Sequence, residues 1–327
     1  MTVQITIIGT GQIGTSIGLA LAGKNAQVRR TGHDRELSIS RRAEKLGAFD
    51  RVEINLIQSV KDADLVILAI PIDQVYSTLQ LIAPEIREGA VVMDTAPVKE
   101  IVLAWAGELL PAGRHYVGLI PVIGPAFLEK PERGVEAANA ELFKGGLLGI
   151  VAPPRSNTEA IKLAADLAAL LGASPLFADG LELDGLMAAT YLLPQIAATA
   201  LLNTTVDQPG WFEARKLAGS AFTEGTGPVL EQSVEAQRSA LLMNRENVLR
   251  LVDRYIEMLQ KVREEIDAED QAALDRRLAS AHRGRELWWR QRQVANWAEV
   301  DAVAAPDMPA SGDFFGRLFG IRRKPQK

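Results

Sequence analysis

An apolar, β-branched run, Val3-Gln4-Ile5-Thr6-Ile7-Ile8, leads directly into Gly9-Thr10-Gly11-Gln12-Ile13-Gly14 and then into a helix-like segment, Thr15 to Ala22. Strand, Gly-x-Gly-x-x-Gly and helix in that order form the turn with which a doubly wound α/β sheet holds a dinucleotide. Each glycine has its own reason. Gly9 permits the tight turn, Gly11 lets the backbone approach a pyrophosphate, and Gly14 lets helix and strand pack closely. With Gln12 and Ile13 they put unpaired N–H groups at the helix start, where the macrodipole favours an anion. An acid follows at the expected distance: Asp34 lies about 20 residues beyond Gly14, at the end of a second strand expected from Ala26 to His33.

Nucleotide choice turns on that acid. A carboxylate at Asp34 can accept the ribose 2′-hydroxyl and repel a 2′-phosphate, which favours NAD; Arg35 beside it could clamp that phosphate, so NADP stays open. Ile70-Pro71 ends another strand at the carboxyl edge of the sheet, where the cofactor crevice of such folds lies.

Strand-like and helix-like segments alternate through the first half. Asp64 to Pro71, Ala90 to Asp94, Tyr116 to Ile120 and Leu147 to Val151 are near-continuous apolar runs, the mark of parallel strands buried on both faces. Arg29 and Arg30 fit the second strand only where one face nears solvent. A helix is expected from Asn157 to Leu171 and a last strand from Ser174 to Ala178. Beyond about residue 180 only helical periodicity remains: Leu181 to Thr204, a Gly-rich break from Gly210 to Pro228, a long run from Val229 to Ile266, and a helix from Glu269 to Trp297. The chain is therefore read as a Rossmann-type doubly wound parallel sheet (1–179) followed by an all-helical domain (180–299), whose long apolar faces suit a homodimer. Residues 300–327 are read as a Pro/Gly/Ala-rich linker and a Phe/Arg-rich tail, with docking to a partner or a membrane surface set against a mobile tail that docks on its own protein or nowhere.

Composition narrows the function. A net charge of −5 offers no basic field for nucleic acid, and the absence of cysteine removes thiolate chemistry. The three histidines, His33, His115 and His282, are too dispersed for a metal cluster, so no metal is expected. The chain opens on a core strand without a basic-then-apolar leader, and no segment is read as approaching the roughly 20 apolar residues needed to span a bilayer; a cytoplasmic setting is expected.

The order of motifs resembles the prephenate/arogenate dehydrogenase family, from about residue 3 to about residue 267. The resemblance rests on the glycine turn, Gly32-His33-Asp34, Leu68-Ala69-Ile70-Pro71, Asp94-Thr95-Ala96-Pro97-Val98-Lys99 and Val117 to Gly124. In the second half it rests on Leu193-Pro194-Gln195, Ala218 to Phe222 and Asn244 to Val248. It implies a Rossmann domain, a helical dimerisation domain, NAD(P) and oxidative decarboxylation of a cyclohexadienol on the way to tyrosine. It also implies departures. The family's basic histidine falls on Ile120, its substrate-holding serine on Pro97, the histidines around its Leu-Pro pair on Leu192 and Gln195, and its carboxylate-binding arginine on Gly227 or Pro228.

An isoleucine accepts no proton, and losing a positioned base costs about 10²- to 10⁴-fold. Weak or changed activity on prephenate is therefore expected. No residue is assigned as catalytic, but four are candidates. Lys99 could bind a carboxylate or act as an acid, against the ordinary reading of a solvated surface lysine. Tyr191 could relay a proton if a cation lowered its pKa, against a core tyrosine. Gln195 is expected to face the nicotinamide, and Glu224, in the Gly-rich break, could act as a base. Besides a prephenate-dehydrogenase-like oxidoreductase, two readings stay open: a β-hydroxyacid or imine-reductase-like dehydrogenase of a smaller substrate, and a non-catalytic dinucleotide-binding sensor or scaffold.

Overall fold

The computed structural model describes residues 2–23, 28–130, 132–154 and 156–294. Trp297, the 300–327 linker and tail, and the expected start of the second strand at Ala26 lie outside them. Through the first half, helices follow strands: β1 (Val3–Ile8), α1 (Gln12–Ala20), β2 (Val28–His33), α2 (Leu37–Lys45), β3 (Arg51–Val52), α3 (Leu56–Val60), β4 (Leu65–Leu68), α4 (Ile72–Ile82), β5 (Val91–Asp94), α5 (Glu100–Leu109) and β6 (His115–Val122). Then come β7 (Leu147–Val151), α6 (Thr158–Leu170) and β8 (Ser174–Phe177). The helical part holds α7 (Gly180–Met187), α8 (Leu193–Thr205), α9 (Trp211–Leu217), α10 (Ser220–Thr226), α11 (Val234–Met243), α12 (Arg245–Asp267) and α13 (Gln271–Val294).

One eight-stranded sheet, ordered β3-β2-β1-β4-β5-β6-β7-β8, carries the first half. Its central strands are apolar on both faces because both are covered. Ile5, Ile7, Leu65 and Ile67 belong to a core shared with α1, α2 and α6, while Val66, Leu68 and Val92 meet α4 and α5 on the other side. Each such side chain contributes about 1.5–3 kcal/mol by leaving water.

The expectation of a wholly parallel sheet needs one correction: β7 runs antiparallel to β6, with Ile120 opposite Gly149. A parallel return needs a crossover, usually a helix. Here the described residues of the 123–146 connection form only short 3-10 helices and turns, and they fold over α1, where Asn139 N–H donates to Ser16 Oγ at 3.0 Å. Arg30 also departs from expectation. It is buried, not at a solvent-facing position, because its guanidinium meets Asp50 and the carbonyls of Gly18 and Gly47.

In the helical part, the expected long run from Val229 to Ile266 is broken at Asn244, which leaves helical geometry (φ −111°, ψ 31°). Its side-chain amide donates to the Asp184 carbonyl at 2.7 Å, a tertiary bond that helix continuity would forgo. The segment Gly180–Thr205 is a single 26-residue helix, long and apolar enough to cross a membrane by length and composition alone. That overturns the reading that no segment is long and apolar enough. This helix carries Asp184, which caps α5, and it packs on α10 and α12. Leu242, Leu249, Ile256, Leu259 and Ile266 leave an apolar face of the helical part exposed.

Candidate active site

The glycine turn is built as its spacing requires. Gly9 adopts φ +91°, and a Cβ there would lie 2.2 Å from the Ala69 carbonyl oxygen; one on Gly14 would lie 1.9 Å from that of Gly9. Gly11 is different: a Cβ built on it meets no atom within 4 Å. Gly11 is also the N-cap of α1, and no side chain caps that helix. The start of α1 thus has no side-chain cap and open space beside Gly11, at the positive end of a helix, a fit for a pyrophosphate. Asp34 is tied to the turn, accepting the Thr10 N–H at 2.7 Å and Thr10 Oγ1 at 3.1 Å on one oxygen and the Glu36 N–H at 3.0 Å on the other. Its carboxylate keeps acceptor capacity for a ribose hydroxyl. Arg35 is exposed beside it, Ile70 packs against Gly9, and Pro71 is the exposed N-cap of α4. Gln12 reaches the Ala137 carbonyl at 3.4 Å, and Ile13 packs on the core.

The helical part carries a polar group of its own. The segment Ala188–Leu192 is a π-helical turn between α7 and α8, a local widening common at functional sites. It carries Tyr191, whose hydroxyl accepts from Gln232 Nε2 at 2.6 Å. Gln195, one turn on, is 1% exposed, yet neither end of its amide makes a well-formed hydrogen bond. It nevertheless lies close enough to the Tyr191 hydroxyl and the Glu231 carboxyl to act on both. Arg133, on the 123–146 connection, donates to the Gly227 carbonyl at 3.2 Å. Burial pushes the Tyr191 phenol up, with Gln232 and Arg133 pulling only part of it back. That direction is opposite to the lowering which a proton relay through Tyr191 would need. Glu231 is exposed at the rim, but the protein around its carboxyl still pushes it up, against the pull of Arg133.

Lys99 is not the solvated lysine of the ordinary reading. It is fully buried, its Nζ is 2.6 Å from Asp94 Oδ1, and its stem crosses Gly118. Burial pulls its ammonium down while Asp94 resists. Asp94 also accepts from the Ala96 N–H and the Tyr116 hydroxyl. A substrate carboxylate could reach this lysine only by displacing Asp94. Glu224 is exposed on α10. Ile120 packs with Val151 and Leu183 in a small core cluster. The structure brings Tyr191 and Gln195 together, while Lys99 is engaged with Asp94. Sequence reasoning missed Arg133, Glu231 and Asp184. The one signal for Arg133 was its place in a long connection after a strand ending at the crevice edge.

The sequence model described as prephenate dehydrogenase, nucleotide-binding domain, matches residues 17–176, and that described as prephenate dehydrogenase, dimerization domain, matches 181–280. The prephenate dehydrogenase of Bacillus subtilis is 27% identical over 281 residues, covering 85% of this chain and 74% of its own. The cyclohexadienyl dehydrogenase of Zymomonas mobilis is 25% identical over 269 residues, covering 82% and 89%. Among solved structures, prephenate dehydrogenase from A. aeolicus in complex with hydroxyphenyl propionate and NAD+ superposes with a TM-score of 0.77 at 20% identity, covering 88% of this chain and 98% of that one. Synechocystis arogenate dehydrogenase gives 0.67 at 21% identity, covering 87% and 99%. At such identities the two structures attest the fold.

Proposed function

This chain belongs to the prephenate dehydrogenase family, and from that premise we propose that it is an NAD-dependent dehydrogenase of tyrosine biosynthesis with an altered substrate pocket. The observation that carries the reading is the bare start of α1, where Gly11 faces open space and no side chain caps the helix. The turn from Gly9 to Gly14 would hold the pyrophosphate, with Asp34 on the ribose and Ile70 and Pro71 along the crevice. NAD+, when bound, supplies the hydride acceptor. Asp34 favours it over NADP+ because a 2′-phosphate would meet a carboxylate.

The pocket differs where the proton must go. Ile120 excludes water without accepting a proton, and Tyr191, held protonated, can orient a ligand oxygen but not deprotonate it. The substrate proton then passes to water at the open rim, slower by about 10²- to 10⁴-fold than to a positioned base. Prephenate turnover is accordingly expected to be weak. A homodimer through the exposed apolar face of the helical part, in the cytoplasm, completes the proposal.

Steady-state assays with prephenate and arogenate, each with NAD+ and NADP+, test it. NAD+ should be preferred and prephenate turned over slowly. Turnover at the rate of a histidine-bearing relative would refute the altered pocket; failure to bind NAD+ in calorimetry would refute the dehydrogenase reading itself.

A further inference from the structure

Helix α13 buries one residue, and that residue is an arginine. Arg292, in the last turn, is 4% exposed, while Leu278, Leu287, Trp288 and Val294 of the same helix stand in solvent. A helix docked by its apolar face would do the reverse. The Arg292 guanidinium donates to the carbonyl of Ile123, 169 residues away in the chain, and α13 packs there on the 3-10 turn Pro125–Phe127. The dimerization-domain match ends at residue 280, so this contact lies outside the segment by which the chain joins its family. What the bond fixes is a backbone position. Ile123 opens the 123–146 connection, and the Gly124 N–H donates to the Leu142 carbonyl at 2.7 Å, closing its base. A Cβ on Gly124 would lie 2.2 Å from the Lys144 carbonyl oxygen, so that base has no slack. Further along, the connection meets the nucleotide turn and the helix after it: the Ala137 carbonyl accepts from Gln12 Nε2, and the Asn139 N–H donates to Ser16 Oγ. Gln12 of α1 and Phe127, Lys130, Glu132 and Asn139 of the connection line a cavity of about 400 Å³ between them.

We propose that α13 is a strap and Arg292 a positioning residue: by holding the Ile123 carbonyl it sets where the connection stands beside the start of α1, and so how tightly a dinucleotide is held there. The inference rests on the dehydrogenase reading and adds to it a residue from the far end of the helical part. Burying a guanidinium costs free energy unless it is hydrogen-bonded, and a bond to a charged donor is among the stronger ones. Here that bond is spent on a loop that touches Gln12. The coupling runs both ways. If Arg292 favours the arrangement that binds NAD+, bound NAD+ must favour the docked end of α13 by the same factor.

The test is calorimetric titration of the full-length protein with NAD+, beside thermal melts. Arg292→Met keeps the stem and removes the donors; it should weaken NAD+ binding about five- to tenfold. Arg292→Lys should restore part of that affinity. Arg290→Met, at an exposed position of the same helix, should leave it unchanged. In turnover, Arg292→Met should raise KM for NAD+ with kcat kept, since binding and not chemistry is lost. Hydrogen exchange of the unaltered protein reads the reciprocal effect, and it decides alone should Arg292→Met not fold: NAD+ should slow exchange in 132–142 and also in 289–294. Unchanged affinity in Arg292→Met, an equal loss in Arg290→Met, or protection of 132–142 without 289–294 overturns the strap and leaves the dehydrogenase reading standing. A parent protein that takes up no NAD+ sinks both.

Discussion

Asp184, on the first helix beyond the sheet, caps α5 by accepting the Lys99 N–H at 2.5 Å on one oxygen and the Glu100 N–H at 3.2 Å on the other. Its own carbonyl accepts from Asn244 at 2.7 Å, so one residue ties α5 to the join between α11 and α12. Burial pushes the Asp184 carboxyl up, against the pull of those two N–H groups. Removing it leaves buried donors at a helix start without an acceptor. Asp184→Ala is expected to cost about 1–3 kcal/mol, read as a lower urea midpoint. Asp184→Asn should cost less, because one acceptor oxygen remains.

The same region separates a structural from a substrate-binding role for Lys99. Lys99 and Asp94 are both 0% exposed and 2.6 Å apart. Breaking one side of such a pair leaves a buried charge, so Lys99→Met should destabilise by about 3–5 kcal/mol. Adding Asp94→Asn should recover part of that, since an amide oxygen can still accept from Ala96 N–H and the Tyr116 hydroxyl. If Lys99 bound substrate, the double variant would instead stay folded with a raised KM. Thermal melts beside KM measurements decide between the two.

Arg30 and Asp50 supply a pH-dependent contribution. Burial pushes the Asp50 carboxyl up, but the bonds from Arg30 outweigh it and hold the group below its ordinary value of 3.8. The folded carboxyl therefore takes its proton at lower pH than the unfolded one. Its contribution is whole above pH 3.8 and is lost as pH falls through the folded value. Arg30→Met should flatten that acid limb of the stability profile. It should also cost about 2–3 kcal/mol at neutral pH, because the Gly18 and Gly47 carbonyls lose their donor. An unchanged acid limb would show that Asp50 has no part in it.

What the sequence displays depends on whether the information is local. The glycine turn, the acid of Asp34 and the buried strands are written in consecutive residues, and each takes the expected form. Strand direction is not: Leu147 to Val151 is apolar whichever way it runs, and only the missing crossover helix makes it antiparallel. Asn244 interrupts a helix through a bond to Asp184, 60 residues away. Arg133, Tyr191, Gln195 and Glu231 have no common spacing, so the fold alone brings them within reach of one another. The sequence left Lys99 open between a ligand-binding role and a solvated surface; its burial goes with Asp94, five residues earlier, which accepts from its Nζ.

The glycines of the turn offer the sharpest separation of folding from binding. Gly9 needs its positive φ, and a Cβ there meets the Ala69 carbonyl at 2.2 Å, so Gly9→Ala should cost about 2 kcal/mol or more. Gly14→Ala meets the Gly9 carbonyl at 1.9 Å and should behave alike. Gly11 has open space and no positive φ, so Gly11→Ala should leave the melting temperature unchanged. What its methyl group enters is the volume into which α1 aims its unpaired N–H groups. NAD+ affinity should then fall about tenfold or more, equivalent to about 1.4 kcal/mol or more, in a protein that is otherwise intact. A Gly11→Ala variant that binds NAD+ as tightly as the parent would mean that the nucleotide does not rest on this turn, whatever the fate of Gly9 and Gly14.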